Sequence, residues 1–160
     1  MFDYILGLPM HALVIHAVVV LVPLSALVAI AFVGRPAWRR RLLWPTAASA
    51  VISGVSAFVA AESGQALQRR VLTARASSTN VELLNEHVEW GDRAKIICLV
   101  FMVVTLAACW FLRTPADDAP RRRPLEILLG VVVTLSAVAA FVSVALAGHA
   151  GSKVVWTGLG

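Results

Sequence analysis

Four histidines are the residues of this 160-residue chain best equipped for chemistry: His11, His16, His87 and His149. A neutral imidazole can ligate haem iron, zinc or copper through one ring nitrogen, and it changes charge near neutral pH. His11 and His16 are five residues apart. On a helix they point about 140° away from each other, and His16 lies about 7.5 Å deeper. Two histidines that chelate one ion along a helix are ordinarily four residues apart. Each of these two therefore needs partners on other segments, which favours a site between helices closed by His87 or His149. Such a site could hold a b-type haem with two axial imidazoles, or a zinc or copper ion. Glu86 and Glu89 flank His87 in the chain. They are candidates for orienting an imidazole N–H, although a solvated face balancing nearby arginines is the plainer reading of both.

The elements that must position these histidines are written in the composition. The chain is 59% apolar with a mean hydropathy of +0.83, whereas soluble domains average about 45–50% apolar residues. The excess falls in four runs, about 9–33, 42–61, 94–112 and 125–148. Each can cross a hydrocarbon core of roughly 30 Å at 1.5 Å per residue. The expected fold is an all-α membrane protein, one domain over residues 1–160, in which four transmembrane helices form an up-down bundle. Pro9 suits the first turn of the first helix and Pro23 should kink it. Residues 62–93 read as an outer loop, with Thr79 and Glu82 as a capping box that opens the helix leading into the third span. Small residues recur every fourth position at Ser49/Ser53/Ala57/Ala61 and at Ala139/Ser143/Ala147, a pattern that lets helices approach closely in lipid. Cys98 and Cys109 share one span about 16 Å apart and cannot pair with each other. Met1 to Pro9 has no Lys or Arg, and the apolar run after it is too long for a cleaved signal peptide.

Charge sets the expected orientation. The link after the first run carries Arg35, Arg39, Arg40 and Arg41, and the link after the third carries Arg113, Arg121, Arg122 and Arg123. The positive-inside rule places these links in the cytoplasm and both termini on the outer, periplasmic or extracellular side of a bacterial plasma membrane. The net charge of +5 and pI near 10.2 then reflect loops beside lipid headgroups rather than nucleic-acid binding. All four histidines fall at the outer end. None lies at the inner end, so electrons crossing the membrane would need a quinol or a redox partner protein.

The stretch Gly7-Leu-Pro-Met-His11-Ala-Leu-Val-Ile-His16 resembles the opening of a bacterial membrane family catalogued as domain of unknown function 2231, whose first helix carries a similar histidine pair. The family's second histidine is usually followed by an aromatic residue and a proline. Here Ala17 and Val18 stand there, and the proline comes at Pro23. The likeness continues through His87, before the third span, to the glycine-rich Gly148-His149-Ala150-Gly151-Ser152. It implies four membrane helices. Similar domains occur beside redox modules, which points to a redox role.

The leading expectation is a small membrane subunit that binds haem or a metal ion through some of the four histidines and serves electron transfer. Two other readings stay open. One is an accessory protein that packs on a partner complex through its small-residue stripes. The other is a small transporter, which with four short helices would need a homo-oligomer. No nucleophile elbow, H-E-x-x-H or phosphate-binding glycine loop occurs, so hydrolytic or transferase chemistry has no signature here.

Overall fold

The computed structural model describes residues 4–5, 8–75, 80–113 and 123–156. Its four helices are α1 (Met10–Gly34), α2 (Arg39–Arg75), α3 (Val81–Leu112) and α4 (Arg123–Trp156). All four are long and apolar enough to cross a membrane, so the chain's surroundings are a lipid bilayer. A short antiparallel pair, β1 (Tyr4–Ile5) and β2 (Leu8–Pro9), precedes α1 with Tyr4 opposite Pro9. Pro9 thus closes a strand instead of opening the helix. An edge of so short a pair tolerates a residue with no N–H to donate. A 3₁₀ turn, Pro36–Trp38, joins α1 to α2.

The helices form a ring. Each of α1 and α3 packs against both α2 and α4, while α1 and α3 barely touch. Short links between successive helices force antiparallel neighbours and hence an up-down bundle. The inward line of α1 is Val18, Val22, Ala26, Ala29 and Phe32, and that of α3 is Cys98, Phe101, Thr105 and Ala108, all buried. These lines step by three or four residues, as one face of a helix must. The large apolar side chains point the other way: Leu27 is 67% exposed and Leu135 65%. Apart from Phe32 and Phe101 the inward lines are built mainly of small and medium residues, which suits a solvent of lipid tails, where close backbone approach stabilises packing.

The first stripe behaves as its spacing implies. Ser53 and Ala57 are buried, and Ser53 Oγ donates to the carbonyl of Leu21 on α1 at 3.1 Å. The second stripe holds in part: Ser143 is buried and Ala147 packs against the core. Ala139 is exposed, and the buried line of α4 runs through Val133, Ala137, Ala140 and Val144.

The largest departure from expectation lies in residues 62–93. Helix α2 continues to Arg75, past its expected end, while α3 begins at Val81, where the helix leading into the third span was expected to open. Both helices therefore outrun the apolar core. Their polar extensions are tied together: Gln65 donates to Asp92 at 2.9 Å, Lys95 donates to Glu62 at 2.9 Å, and Gln68 donates to Asn85 at 2.8 Å. Apolar periodicity is blind to a helix held by such polar pairs. The residue that caps α3 is Asn80, whose side chain accepts from the Leu83 amide at 3.2 Å. This cap leaves no box with Glu82; Thr79 lies outside the described residues.

At the opposite end Arg39, at the start of α2, reaches Glu126 near the start of α4 at 3.0 Å. Their side chains are only 14% and 24% exposed. The pair joins helices that are diagonal in the ring and closes that end of the bundle. Arg39→Ala leaves a part-buried carboxylate unpaired, and we expect it to cost about 1.5–3 kcal/mol. Reversible unfolding in mild detergent should show the loss, and Arg39→Lys should recover part of it.

Candidate functional site

The bundle end opposite the Arg39–Glu126 pair holds a half-open cavity of about 760 Å³. All four helices contribute to its wall, which is mostly valine, leucine, isoleucine and alanine. His11, His16 and His87 are the histidines on it.

His11 stands in the first turn of α1. Its Nδ1 lies 2.8 Å from the carbonyl of Ala60 on α2. His87 stands on the extension of α3, and its Nδ1 lies 3.0 Å from the carbonyl of Ala147 on α4. A carbonyl can only accept, so each Nδ1 must carry the proton and donate. Each Nε2 is then left with its lone pair and no hydrogen-bond partner among the described residues. The two rings face each other edge to face, with centroids 6.0 Å apart and planes inclined by 73°. Helical rise alone would set His87 about 13 Å beyond the start of the third span. In the structure its ring nevertheless stands 6.0 Å from that of His11.

Two glycines make room for the pair. A Cβ on Gly64 of α2 would fall 3.0 Å from Cε1 and Nδ1 of His11. A Cβ on Gly151 of α4 would fall 2.9 Å from Cε1 of His87. Each imidazole is thus flanked by a backbone carbonyl that fixes its tautomer and a glycine that lets the ring lie against a helix. Gly148, by contrast, has nothing within 4 Å of such a Cβ. Only the second glycine of the Gly148-His149-Ala150-Gly151 segment serves a close approach.

The other two histidines lie apart. His16 is exposed at the cavity wall, and its Nδ1 donates to the carbonyl of Ala12 on its own helix at 2.6 Å. His149 is exposed on α4 and does not line the cavity. Glu86 and Glu89 do not orient either imidazole. Glu86 accepts from Lys153 at 3.4 Å, and Glu89 pairs with Arg93 one turn along α3. Backbone carbonyls do the orienting instead. No sequence pattern marks a carbonyl as an imidazole partner, and Gly64 lies in a polar stretch where nothing singles it out.

His87 titrates below the ordinary histidine value of 6.5, because burial disfavours its charged form. The bond to Ala147 opposes that shift, and the nearby His11 adds to it. The folded state therefore resists the proton that the unfolded chain accepts at 6.5. The sign follows: stability is undiminished above 6.5, falls as pH drops through 6.5 toward the lower folded value, and levels off below it. We expect the protein to melt earlier at pH 5 than at pH 7.5, by a margin that shrinks in His87→Gln. Thermal melts of both proteins across that range measure it.

Among the described residues no group of three or more His, Cys, Asp or Glu side chains converges as a metal-ion site would need. Two imidazoles in an apolar crevice are a donor set of another kind. Fold and site together define a class: a four-helix membrane bundle whose paired imidazoles close one end. The chain belongs to the family described as predicted membrane protein, DUF2231, whose model matches residues 7–159; the family's function is not established. No curated protein and no solved structure matches the chain.

Proposed function

We propose that this protein is a small electron-transfer subunit that binds one b-type haem between His11 and His87, near the outer face of the bacterial plasma membrane. The observation that carries this reading is the imidazole pair itself. Both rings are held by Nδ1–H donation to a carbonyl of a different helix, both Nε2 lone pairs are unused, and the rings stand 6.0 Å apart. Donation of the distal N–H to a fixed acceptor is the arrangement that sets ring orientation and basicity in histidine ligands. One metal atom bonded at about 2 Å to a nitrogen of each ring would span that separation.

The surroundings favour haem over zinc. Structural zinc takes four ligands and catalytic zinc three, whereas a b-type haem takes two axial imidazoles from the protein and asks for an apolar wall. His11 and His87 would hold the iron, and the cavity walls would exclude water from it. When bound, the haem would supply a one-electron centre. The haem reading places the site on the outer side because Arg35, Arg39, Arg40, Arg41, Arg113 and Arg123 all stand at the other end, which the positive-inside rule assigns to the cytoplasm. The accessory-protein alternative draws less support, since Ser53 and Ala57 are buried inside the chain's own bundle.

The test is an absorption spectrum of the detergent-purified protein, oxidised and then dithionite-reduced, with elemental analysis of the same sample. A Soret band whose reduced form shows sharp α and β bands, with one iron per chain, supports the proposal. A colourless, metal-free protein from cells supplied with haem overturns it. Stoichiometric copper or zinc in a colourless protein would transfer the same pair of imidazoles to an ion.

A further inference from the structure

His16 presents a problem that the haem site does not solve. It sits about 7.5 Å deeper along α1 than His11, on the exposed side of the helix. Its Nδ1 donates to Ala12, which leaves Nε2 with a lone pair and no hydrogen-bond partner among the described residues. A polar atom with no partner in hydrocarbon is costly. On α1 the apolar neighbours of His16, Ile15, Val19 and Val20, line the same cavity and form its mouth on this side. Val20 is 64% exposed and Val19 49%, so this mouth opens sideways into the bilayer rather than into water.

We infer that the mouth beside His16 binds a membrane-soluble hydroquinone with an isoprenoid tail, whose ring hydroxyl donates a hydrogen bond to His16 Nε2. The tautomer fixed by Ala12 makes Nε2 an acceptor, so the ligand must bring an O–H or N–H donor. The valine-lined mouth demands an apolar body, and its lateral opening selects a molecule that arrives from the lipid phase. The single cavity that His16 shares with His11 and His87 places the ligand's ring beside the imidazole pair. The choice of a hydroquinone over another hydroxylated lipid rests on the electron-transfer reading above; binding at His16 does not.

Equilibrium binding of a radiolabelled decyl-chain benzoquinol to the protein in lipid nanodiscs, under argon, tests the inference. We expect saturable binding of one molecule per chain, weakened about tenfold in His16→Leu, the loss of one neutral hydrogen bond. Leucine is at home on a lipid-facing position, so this variant folds. Protein purified from haem-starved cells should still bind the quinol, since His16 Nε2 accepts the hydrogen bond with or without haem. That result separates failure of the haem reading from failure of this one. Absence of saturable binding, or equal binding by His16→Leu, overturns the inference. Displacement by an equimolar saturated decyl alcohol overturns it too, in favour of a site for any lipid alcohol.

Discussion

Replacing either His11 or His87 with alanine will empty the site, whereas replacing His16 or His149 will leave it filled. The expected loss in haem affinity exceeds about 100-fold, because even removal of a residue that only orients a ligand costs 10–100-fold. The distinction among four chemically identical side chains comes from geometry alone. His11 and His87 are the pair whose rings meet, and each is held by a carbonyl of a different helix. His16 is held by a carbonyl of its own helix, and His149 does not line the cavity. The measurement is the reduced-minus-oxidised spectrum of the four single variants, normalised to protein. Each alanine variant of the pair forfeits one hydrogen bond, worth about 1 kcal/mol, which a bundle of four membrane helices should survive. Unchanged helical circular dichroism would confirm that. Added imidazole should restore part of the spectrum in His87→Gly, because the free base can occupy the vacated space. A full haem complement in His11→Ala or His87→Ala would refute the assignment of ligands. Loss in His16→Ala would move the site one and a half turns down α1.

How much of this was legible in the sequence differs by element. The four spans were, because each is a long apolar run whose only requirement is to fill a bilayer. The extension of α2 to Arg75 was not, whereas the extension of α3 was announced by its capping signal, with Asn80 rather than Thr79 as the cap. Both are held by Gln65–Asp92, Lys95–Glu62 and Gln68–Asn85, contacts between positions far apart in the chain that no local period encodes. The same extensions explain why His87 can meet His11. It stands on a continuous helix that carries it over the end of α1, not on a loop. The histidines themselves were visible as the chain's scarce chemical groups, but which two would pair depended on helix tilt and rotation. His11 and His16 point about 140° apart, so at most one of them could face the interior. Nothing in the pattern said which. The glycines were half legible: the Gly148-His149-Ala150-Gly151 cluster stood out, yet Gly151 is the glycine that touches a ring, and its partner is His87 rather than its neighbour His149.

Gly151→Ala should therefore separate two measured quantities, haem binding and the stability of the cofactor-free protein. Glycine in the middle of a helix is less favourable than alanine by about 1 kcal/mol, so the substitution stabilises α4 by its local propensity. The new methyl group, however, would lie 2.9 Å from Cε1, 3.1 Å from Nδ1 and 3.5 Å from Nε2 of His87. Carbon atoms in contact want about 3.5–4.0 Å, and the ring is tethered where it stands. Its Nδ1 is bonded at 3.0 Å to the carbonyl of Ala147, one turn earlier on the same helix. The methyl group can be accommodated only if the ring turns away, and turning breaks the bond that fixes its tautomer. We expect a weakening of haem binding of about 10–100-fold, the range for loss of an orienting partner. Gly64→Ala should act in the same way on His11, more mildly, since its Cβ would stand 3.0 Å from the ring. Gly148→Ala and Gly130→Ala are the controls, because neither Cβ meets anything within 4 Å. They should gain the helix propensity and lose no haem. A structural role for Gly151 alone would predict that stability and haem content fall together. A role in seating the imidazole predicts that haem content falls while the stability of the cofactor-free protein holds or falls by no more than the one His87 hydrogen bond. Haem titration and thermal melts on the same four variants separate the two, since only steric pressure on the histidine links a glycine to the cofactor without passing through the fold.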